Sequence, residues 1–339
     1  MRRLTLILSD LFLPEEAGRG SAIPTTRDLP NLDWLLRFSD PPRQIGDWRR
    51  WLLAQTNPAL EDLPVASISA YERVDGRNLE STWLATPVAL EARLDHVRLL
   101  DRGLLRVDEM ERAICCEEFA RVFGPQYLLH DGGERAYFLS GLSPAGVQMA
   151  DPARLLGSEI GPALPGREAD ELRRLWAEIE MWLHGAAFNT TRERAGKRRV
   201  SALWLWGAAS APAARGQVEP GQADVSYYGG DPMIAELRRI AGGGARGVPK
   251  QWTQLDRSAP HVVMEFAALT GGPHESLEAL DANWFAPAKA ALKSGQLREF
   301  DLLANDRRFS TGARPDWRIW RRRHPWLTRL GSLADAAKA

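Results

Sequence analysis

Residues 168–189 read EADELRRLWAEIEMWLHGAAFN, and residues 200–207 read VSALWLWG. In the first stretch, apolar side chains recur three or four positions apart, which predicts an amphipathic helix with one buried face. The second stretch is a short apolar run that stops at Gly207, as a buried strand does before a loop. A basic turn, TTRERAGKRR at residues 190–199, joins the two. A helix that leads into a buried strand predicts an α/β layer.

The rest of the chain continues this alternation of strands and helices, which is typical of an α/β domain with a mixed or largely parallel sheet. Apolar runs bounded by turn residues predict strands at residues 4–9, 65–71, 126–129, 135–140, 261–269, 297–304 and 317–320. Helices are predicted at residues 32–38, 46–55, 231–240 and 275–294. The strands at residues 126–129 and 135–140 flank the turn sequence HDGGE, which predicts a hairpin.

A further helix is predicted from Asp108 to Gly124. Asp108 followed by Glu111 matches a capping box, and Gly124 is a typical stop. The apolar residues of this segment predict its buried face, which comprises Ile114, Cys115, Phe119, Val122 and Phe123.

Length and composition indicate a soluble globular chain with a substantial core. The chain has 339 residues, of which 44% are hydrophobic and 26% are charged. We expect one α/β domain over residues 1–339, with a mixed or parallel sheet sandwiched by helices. Residues 141–167 are rich in proline and glycine, so they mark the place of an internal boundary if the chain contains two domains.

Charge and cysteine content exclude or disfavour several classes of protein. The net charge is zero, whereas a nucleic-acid-binding protein usually has a basic excess. No apolar run approaches the length of about 18 residues that predicts a membrane span. Cys115 and Cys116 are the only cysteines. Because neighbours in sequence do not easily form an ordinary disulfide, we expect a reducing, cytoplasmic environment.

Asp10 is the first candidate for chemistry because it follows the first predicted strand. Open α/β sheets bind ligands at the carboxyl ends of their strands, so this carboxylate is a candidate ligand for a metal ion. A loop acid or helix cap is the structural alternative. His130 and Asp131 are weaker metal candidates, and a plain hairpin turn is the favoured explanation of them. The sequence contains no HExxH, CxxC or GxSxG motif.

The basic turn and its neighbours form the second candidate site. Imidazole, amide and guanidinium groups together suit a phosphate or carboxylate, and a solvated basic loop is the alternative. We also expect the tryptophans of the following strand to belong to this ligand site. The ligand-binding candidates are Asp10, His184, Asn189, Arg192, Arg194, Arg198, Trp204 and Trp206.

Residues 318–326, RIWRRRHPW, form a third candidate surface. Arginines interleaved with tryptophan are able to stack on and clamp a nucleic acid. A basic tail or an edge strand protected by its charges is the alternative.

Two stretches resemble the bacterial family of RpfE-type regulatory proteins, which is itself described as similar to cofactor-independent phosphoglycerate mutase. The first is WLHGAAFN, residues 182–189, followed by SALWLWG, residues 201–207. The second is residues 280–309, LDANWFAPAKAALKSGQLREFDLLANDRRF. The residues that match the family pattern are His184, Asn189, Trp204, Trp206, Gly207, Asp281, Trp284, Pro287 and Gly295.

The resemblance implies an alkaline phosphatase-like architecture. It also implies a cytoplasmic regulatory protein that binds a small anionic molecule or a protein partner. Ala186, Ala187 and Ser201 stand where the family has histidine, proline and asparagine. Metal-dependent mutases use a Ser or Thr nucleophile and two metal ions held by several Asp and His residues, and that ligand set has no counterpart in this sequence. We therefore expect no intact two-metal centre and no cofactor.

Two alternatives stay open at this point. The first is an active metal-dependent phosphoryl-transfer enzyme that uses a divalent metal ion, with Asp10, His130, Asp131 and His184 among its ligands. The second is nucleic-acid binding through residues 318–326.

Overall fold

A computed structural model describes residues 1–13, 28–71, 73–74, 81–144, 146–166, 169–208, 224–243, 249–315, 320–322 and 324–331. The chain divides into two compact units. The first unit comprises Met1–Glu61, Val218–Gly229 and Leu237–Ala339, and the second comprises Asp62–Gln217 and Gly230–Glu236. The described part of segment 141–167 lies within the second unit. A single domain over the whole chain stays a prediction.

The described residues form strands and α-helices in alternation. The strands are β1 (Arg3–Leu8), β2 (Arg43–Gln44), β3 (Trp83–Ala92), β4 (Val97–Leu104), β5 (Leu128–Asp131), β6 (Tyr137–Ser140), β7 (Ala202–Trp206), β8 (Val225–Tyr228), β9 (His261–Phe266), β10 (Glu299–Ala304) and β11 (Arg307–Gly312). The helices are α1 (Pro30–Phe38), α2 (Trp48–Thr56), α3 (Val65–Ser69), α4 (Glu109–Phe123), α5 (Asp170–Gly185), α6 (Ala187–Arg194), α7 (Pro232–Ile240), α8 (Leu277–Leu280), α9 (Ala286–Ser294) and α10 (Trp326–Gly331).

The first unit contains a six-stranded mixed sheet in the order β2-β11-β10-β1-β9-β8. Strands β8, β9, β1 and β10 are parallel, and β11 and β2 are antiparallel additions at one edge. The predicted strands at residues 4–9, 261–269 and 297–304 correspond to β1, β9 and β10. The prediction of an α/β fold with a mixed sheet is therefore confirmed for this unit.

Alternating side chains of β1 divide between the two faces of that sheet, as expected for a period of two. Leu4, Leu6 and Leu8 belong to a core that also contains residues of α1, α8 and α9. On the opposite face, the Tyr227 hydroxyl bonds with Thr56 of α2, and the Arg308 guanidinium lies 5.4 Å from the Trp51 ring centre. Helices therefore pack against both faces of this sheet.

The face that contacts α2 also carries charged side chains. Asp301 is fully buried, and its two carboxylate oxygens accept bonds from Arg3 Nε at 2.8 Å and Arg308 Nε at 2.7 Å. His261 Nε2 lies 2.9 Å from the hydroxyl of Thr5. These contacts satisfy polar groups that the sheet withdraws from water, which is what makes their burial tolerable.

The second unit contains a five-stranded sheet in which β4, β3, β6 and β5 are neighbours and β7 also pairs with β3. All of these pairings are antiparallel, so the expectation of a largely parallel sheet is wrong here. For two of the four pairings the reason is the length of the connection. The links between β3 and β4 and between β5 and β6 are hairpin loops, which are too short to return a strand in the parallel direction. The predicted hairpin at residues 126–140 is confirmed.

The segment that opens this sequence forms its predicted elements. Leu172, Leu175, Ile179 and Leu183 of α5 are buried, and every residue of β7 is buried. Gly207 ends the strand at φ +72°, a left-handed conformation that glycine adopts readily.

Two predictions about local structure are wrong. Residues 65–71 were expected to form a strand, but Val65–Ser69 is a helix, because the weak alternation of this short apolar run also suits a buried helical turn. The capping box of α4 is confirmed, but its buried face contains Glu111, while Ile114 and Val122 are exposed. Of the predicted strand at residues 317–320, residues 317–319 lie outside the described part of the chain.

Among the described residues, no helix combines the length and the apolar character that a bilayer crossing requires.

The buried histidine of β9 gives the first unit a specific pH dependence. Burial, assisted by the charge of Arg3, lowers the pKa of His261 from 6.5 to about 4. Below pH 6.5 the unfolded chain therefore binds a proton that the folded chain does not. Stability falls as the pH decreases from 6.5 toward 4, by about 1.4 kcal/mol per pH unit and by about 3 kcal/mol in all.

We expect His261→Gln to remove this dependence, since glutamine also hydrogen-bonds but does not titrate. The free energy of unfolding, measured with urea at several pH values between 7 and 4.5, tests this. His274→Gln is the matched control because His274 is exposed. Parallel pH curves for wild type and His261→Gln would contradict the prediction.

Candidate functional site

Asp10 lies at the carboxyl end of β1, where the sequence placed it, and is 1% exposed. Its carboxylate accepts hydrogen bonds from the Leu269 N–H at 3.0 Å, the Thr270 N–H at 2.7 Å and the Thr270 hydroxyl at 2.7 Å. The donors belong to the loop that follows β9. Asp10 therefore holds the loops after two neighbouring parallel strands together, in the manner of a turn cap.

A second buried carboxylate, which the sequence analysis does not predict, lies at the same end of the sheet. Glu265, which is 1% exposed, accepts a hydrogen bond from the hydroxyl of Ser9, which is 2% exposed. Glu265 stands inside the apolar run HVVMEF, and an acid at a buried strand position is the signal that identifies it in retrospect. Two acidic groups thus lie at this end of the sheet, and each is hydrogen-bonded within the protein.

His130 and Asp131 are adjacent in β5, so their side chains point to opposite faces of the strand. His130 Nε2 lies 3.0 Å from the Ser140 hydroxyl, and burial lowers the pKa of His130. Asp131 accepts bonds from Arg112 Nε and from the Gly133 N–H, each at 2.7 Å. The two side chains do not form a shared pair of ligands.

Asp10 belongs to the first unit, whereas His130, Asp131 and His184 belong to the second. Neither unit by itself brings the weak metal candidates together. Within the described ranges, no group of three or more His, Cys, Asp or Glu side chains is arranged to hold a metal ion.

Asn189 joins the end of α5 to the start of β7. Its amide nitrogen donates to the carbonyls of Leu183 at 2.8 Å and Val200 at 2.9 Å, and its amide oxygen accepts the Val200 N–H at 2.8 Å. The side chain is fully buried. Asn189 therefore fastens the helix to the strand through a closed set of bonds.

Arg192 is 3% exposed and connects α6 to the start of α4. Its Nη1 lies 2.6 Å from a carboxylate oxygen of Glu111, and its Nε donates to the Arg198 carbonyl at 2.9 Å. Lys197 also contacts Glu111, at 2.9 Å, and reaches Asp108 at 2.7 Å. The capping box of α4 is thus tied to the basic turn by two cations.

The remaining ligand-binding candidates in and next to the basic turn lie at the surface. His184, Arg194 and Arg198 are exposed. Arg199 donates to the carbonyl of His184 and forms an ion pair with Glu193 at 2.8 Å, so it caps the last turn of α5. Arg192, Lys197 and Arg199 thus make structural contacts within the second unit, whereas Arg194 and Arg198 face solvent.

Trp204 and Trp206, predicted as ligand contacts, are buried parts of the second unit. The Trp204 N–H donates to the Ala150 carbonyl at 2.8 Å, and its ring meets Trp176 edge to face at 5.1 Å. The Trp206 N–H donates to the Thr86 hydroxyl at 2.9 Å. Their polar atoms have partners inside the protein, as buried tryptophans require.

The described part of residues 318–326 and the helix that follows contribute to the first unit's fold. Trp326 is buried in the core. Arg321 donates to the Ser39 carbonyl and Arg329 to the Leu36 carbonyl at 3.0 Å, so both cations lie at the negative end of α1. Arg318 and Arg323 lie outside the described residues.

The two cysteines are poor nucleophiles. Burial raises the pKa of Cys115 to about 12 and that of Cys116 to about 11. Since the thiolate is the reactive form, both side chains are protonated and inert at neutral pH.

Comparison with known proteins gives only distant likenesses. No family model matches the chain, and no curated protein matches it. A cofactor-independent phosphoglycerate mutase from Thermoplasma acidophilum DSM 1728 is 16% identical, over 92% of this chain and 89% of that chain, with a TM-score of 0.34. The PH0037 protein from Pyrococcus horikoshii is 12% identical, over 97% and 92%, with a TM-score of 0.42. Likenesses of this size do not identify a function, and membership of the RpfE-type family stays a prediction.

The buried ion pair of Arg192 and Glu111 leads to a testable prediction. Arg192→Met keeps much of the side-chain volume but leaves Glu111 buried with one cation fewer, which costs about 3 kcal/mol of stability. Arg194→Met is the matched control, because Arg194 lies on the same helix and is exposed. It should change stability by less than about 0.5 kcal/mol. Urea denaturation measures both, and equal effects would show that the buried pair is not a structural anchor.

Proposed function

We propose that this chain is a cytoplasmic, phosphoglycerate mutase-like regulatory protein that binds a small anionic ligand and does not work through a two-metal centre. The observation that carries the proposal is the bonding of Asp10. It is the acid best placed by the fold to hold a metal ion, and its carboxylate is instead engaged by three donors of the loop at Leu269 and Thr270.

The geometry of these bonds explains why they compete with metal binding. One oxygen of Asp10 accepts all three hydrogen bonds, and the other oxygen accepts a longer one from the Leu269 N–H at 3.1 Å. A metal ion at this carboxylate would compete with these donors, which belong to two partly buried residues. Each displaced donor costs about 1–3 kcal/mol if it finds no other partner.

The surface cations of the second unit support the proposal that the ligand is an anion. Arg194, Arg198 and His184 are exposed, and Arg199, the neighbour of Arg198, donates to the carbonyl of His184. Guanidinium groups match the geometry of carboxylate and phosphate oxygens. The net charge of the chain is zero, so attraction of an anion depends on such a local cluster rather than on the whole molecule.

The first prediction concerns metal content. We expect purified protein to contain Mn and Zn well below one equivalent, and Asp10→Asn to leave that content unchanged while lowering stability by about 1–3 kcal/mol. Elemental analysis and urea denaturation measure the two effects. Asp62→Asn, at an exposed position, is the control. Stoichiometric Mn or Zn that disappears together with mutase activity in Asp10→Asn would instead establish the metal-dependent enzyme.

The second prediction concerns the anion. We expect inorganic phosphate to bind the protein saturably, and the double variant Arg194→Gln, Arg198→Gln to bind it about tenfold more weakly, because charge-assisted hydrogen bonds are lost. Isothermal titration calorimetry at low salt measures the affinity. Arg43→Gln, an exposed position of the first unit, should bind as the wild type does. Unchanged affinity in the double variant would refute the assignment to the basic turn.

A further inference from the structure

The first unit contains a groove that the sequence did not suggest as a site. Helices α1 and α9 and residues 324–325 line a cavity of about 510 Å³. Asp33, Trp34 and Arg37 of α1 line it, and Arg37 lies four residues after Asp33 and three after Trp34, so it shares a face of the helix with each. Lys289 of α9 and His324 complete the polar lining. Acidic, basic and aromatic groups thus converge on one concave surface.

The acidic part of the groove contains Asp28 and Asp33. The Trp326 N–H donates to the Asp33 carboxylate at 2.5 Å, which fixes its position. Burial raises the pKa of Asp33, and the nearby negative charges of Asp28 and Asp281 contribute in the same direction. A ligand cation would reduce the electrostatic repulsion between these carboxylates.

The basic part of the groove is organised by Trp34. The ammonium groups of Lys289 and Lys293 lie 5.6 Å and 5.2 Å from the centre of its ring. Lys289 also donates to the side-chain oxygen of Asn31 at 3.1 Å, which holds it in place. Of these two lysines, Lys289 lines the cavity, and Arg37 is the second cation of the lining. A ligand anion would be attracted to both of these positive charges.

We propose that this groove binds a small zwitterion, whose ammonium group contacts Asp28 and Asp33 and whose carboxylate or phosphate contacts Lys289 and Arg37. Trp34 belongs to the same lining and provides apolar contact for the carbon atoms that connect the ligand's ends. The groove lies in the first unit, so this assignment goes beyond the anion site proposed for the second unit and does not depend on it.

A ligand of both signs fits this groove better than a simple ion. A simple anion would be attracted by Lys289 and Arg37 but repelled by the two carboxylates in the same cavity, and a simple cation would experience the reverse. A zwitterion gains at both ends. Its affinity should therefore exceed that of either half alone by at least about tenfold, which is the usual size of one charge-assisted contact.

The test is isothermal titration calorimetry of the full-length double variant Arg194→Gln, Arg198→Gln with two zwitterions and their halves. This variant is used because phosphate is expected to bind the basic turn of the wild type. O-phosphoethanolamine is compared with inorganic phosphate and ethanolamine, and 4-aminobutyrate is compared with butyrate. We expect at least one zwitterion to bind saturably and at least about tenfold more tightly than its halves. The comparison of the two zwitterions decides between phosphate and carboxylate as the preferred anionic group.

Variants then locate the binding. Lys289→Gln and Asp33→Asn should each weaken zwitterion binding by about tenfold, and asparagine at position 33 retains an acceptor for the Trp326 N–H. Lys250→Gln, at an exposed position outside the groove, should bind as the wild type does. The melting temperature of each variant shows whether it is folded. Because the two variants change opposite parts of the groove, either one still tests the proposal if the other does not fold.

Several outcomes would overturn the proposal. They are the absence of binding by both zwitterions, binding of phosphate, butyrate or ethanolamine as tight as that of the zwitterion, and zwitterion binding that is unchanged in both Lys289→Gln and Asp33→Asn. The double variant Arg194→Gln, Arg198→Gln separates the two assignments. It should retain zwitterion binding, and its loss of phosphate binding reports only on the basic turn.

Discussion

Withdrawing a charged or amide side chain from water is costly unless the protein supplies a partner, and this constraint organises both units. Asp301 lies between two arginines, and Asp10 accepts the donors of a neighbouring loop. In the second unit, Glu111 binds Arg192, and Asn189 closes a ring of bonds between a helix and a strand. These side chains resemble site residues by type, yet their bonding atoms are directed into the fold.

Much of the fold could be predicted because its signals are local. The apolar period of α5, the capping box of α4 and the glycine that ends β7 each lie within a few neighbouring residues. The pairing direction of the strands is not a local property. The β7 segment VSALWLWG suits a parallel or an antiparallel neighbour equally well, and only its partner β3 makes the pairing antiparallel. The run at Val65–Ser69 is ambiguous for the same reason, because its length and burial suit either a strand or a helix.

The candidate site was harder to predict because residue type does not reveal where a polar group finds its partner. Asn189 and Arg192 are predicted as ligand-binding residues from their type, whereas their partners Leu183, Val200 and Glu111 become evident only in three dimensions. The zwitterion groove was missed for a related reason. Trp34 and Lys289 are separated by most of the chain, and no spacing rule connects them. The helix that carries Trp34 was predicted, while the surface that it faces was not.

The central position of β1 has a consequence for how the chain is made. β1 is synthesised long before its two sheet neighbours, β9 and β10, as contacts between residues 256 and 298 positions apart show. The hairpins of the second unit, by contrast, pair within a few residues and are complete much earlier. During synthesis the apolar segment RLTLIL of β1 therefore remains unpaired until β9 and β10 have been made. The hairpins of the second unit are able to pair before that. Such an unpaired strand is prone to associate with other chains. Aggregation is therefore the main risk for this protein while its synthesis is incomplete.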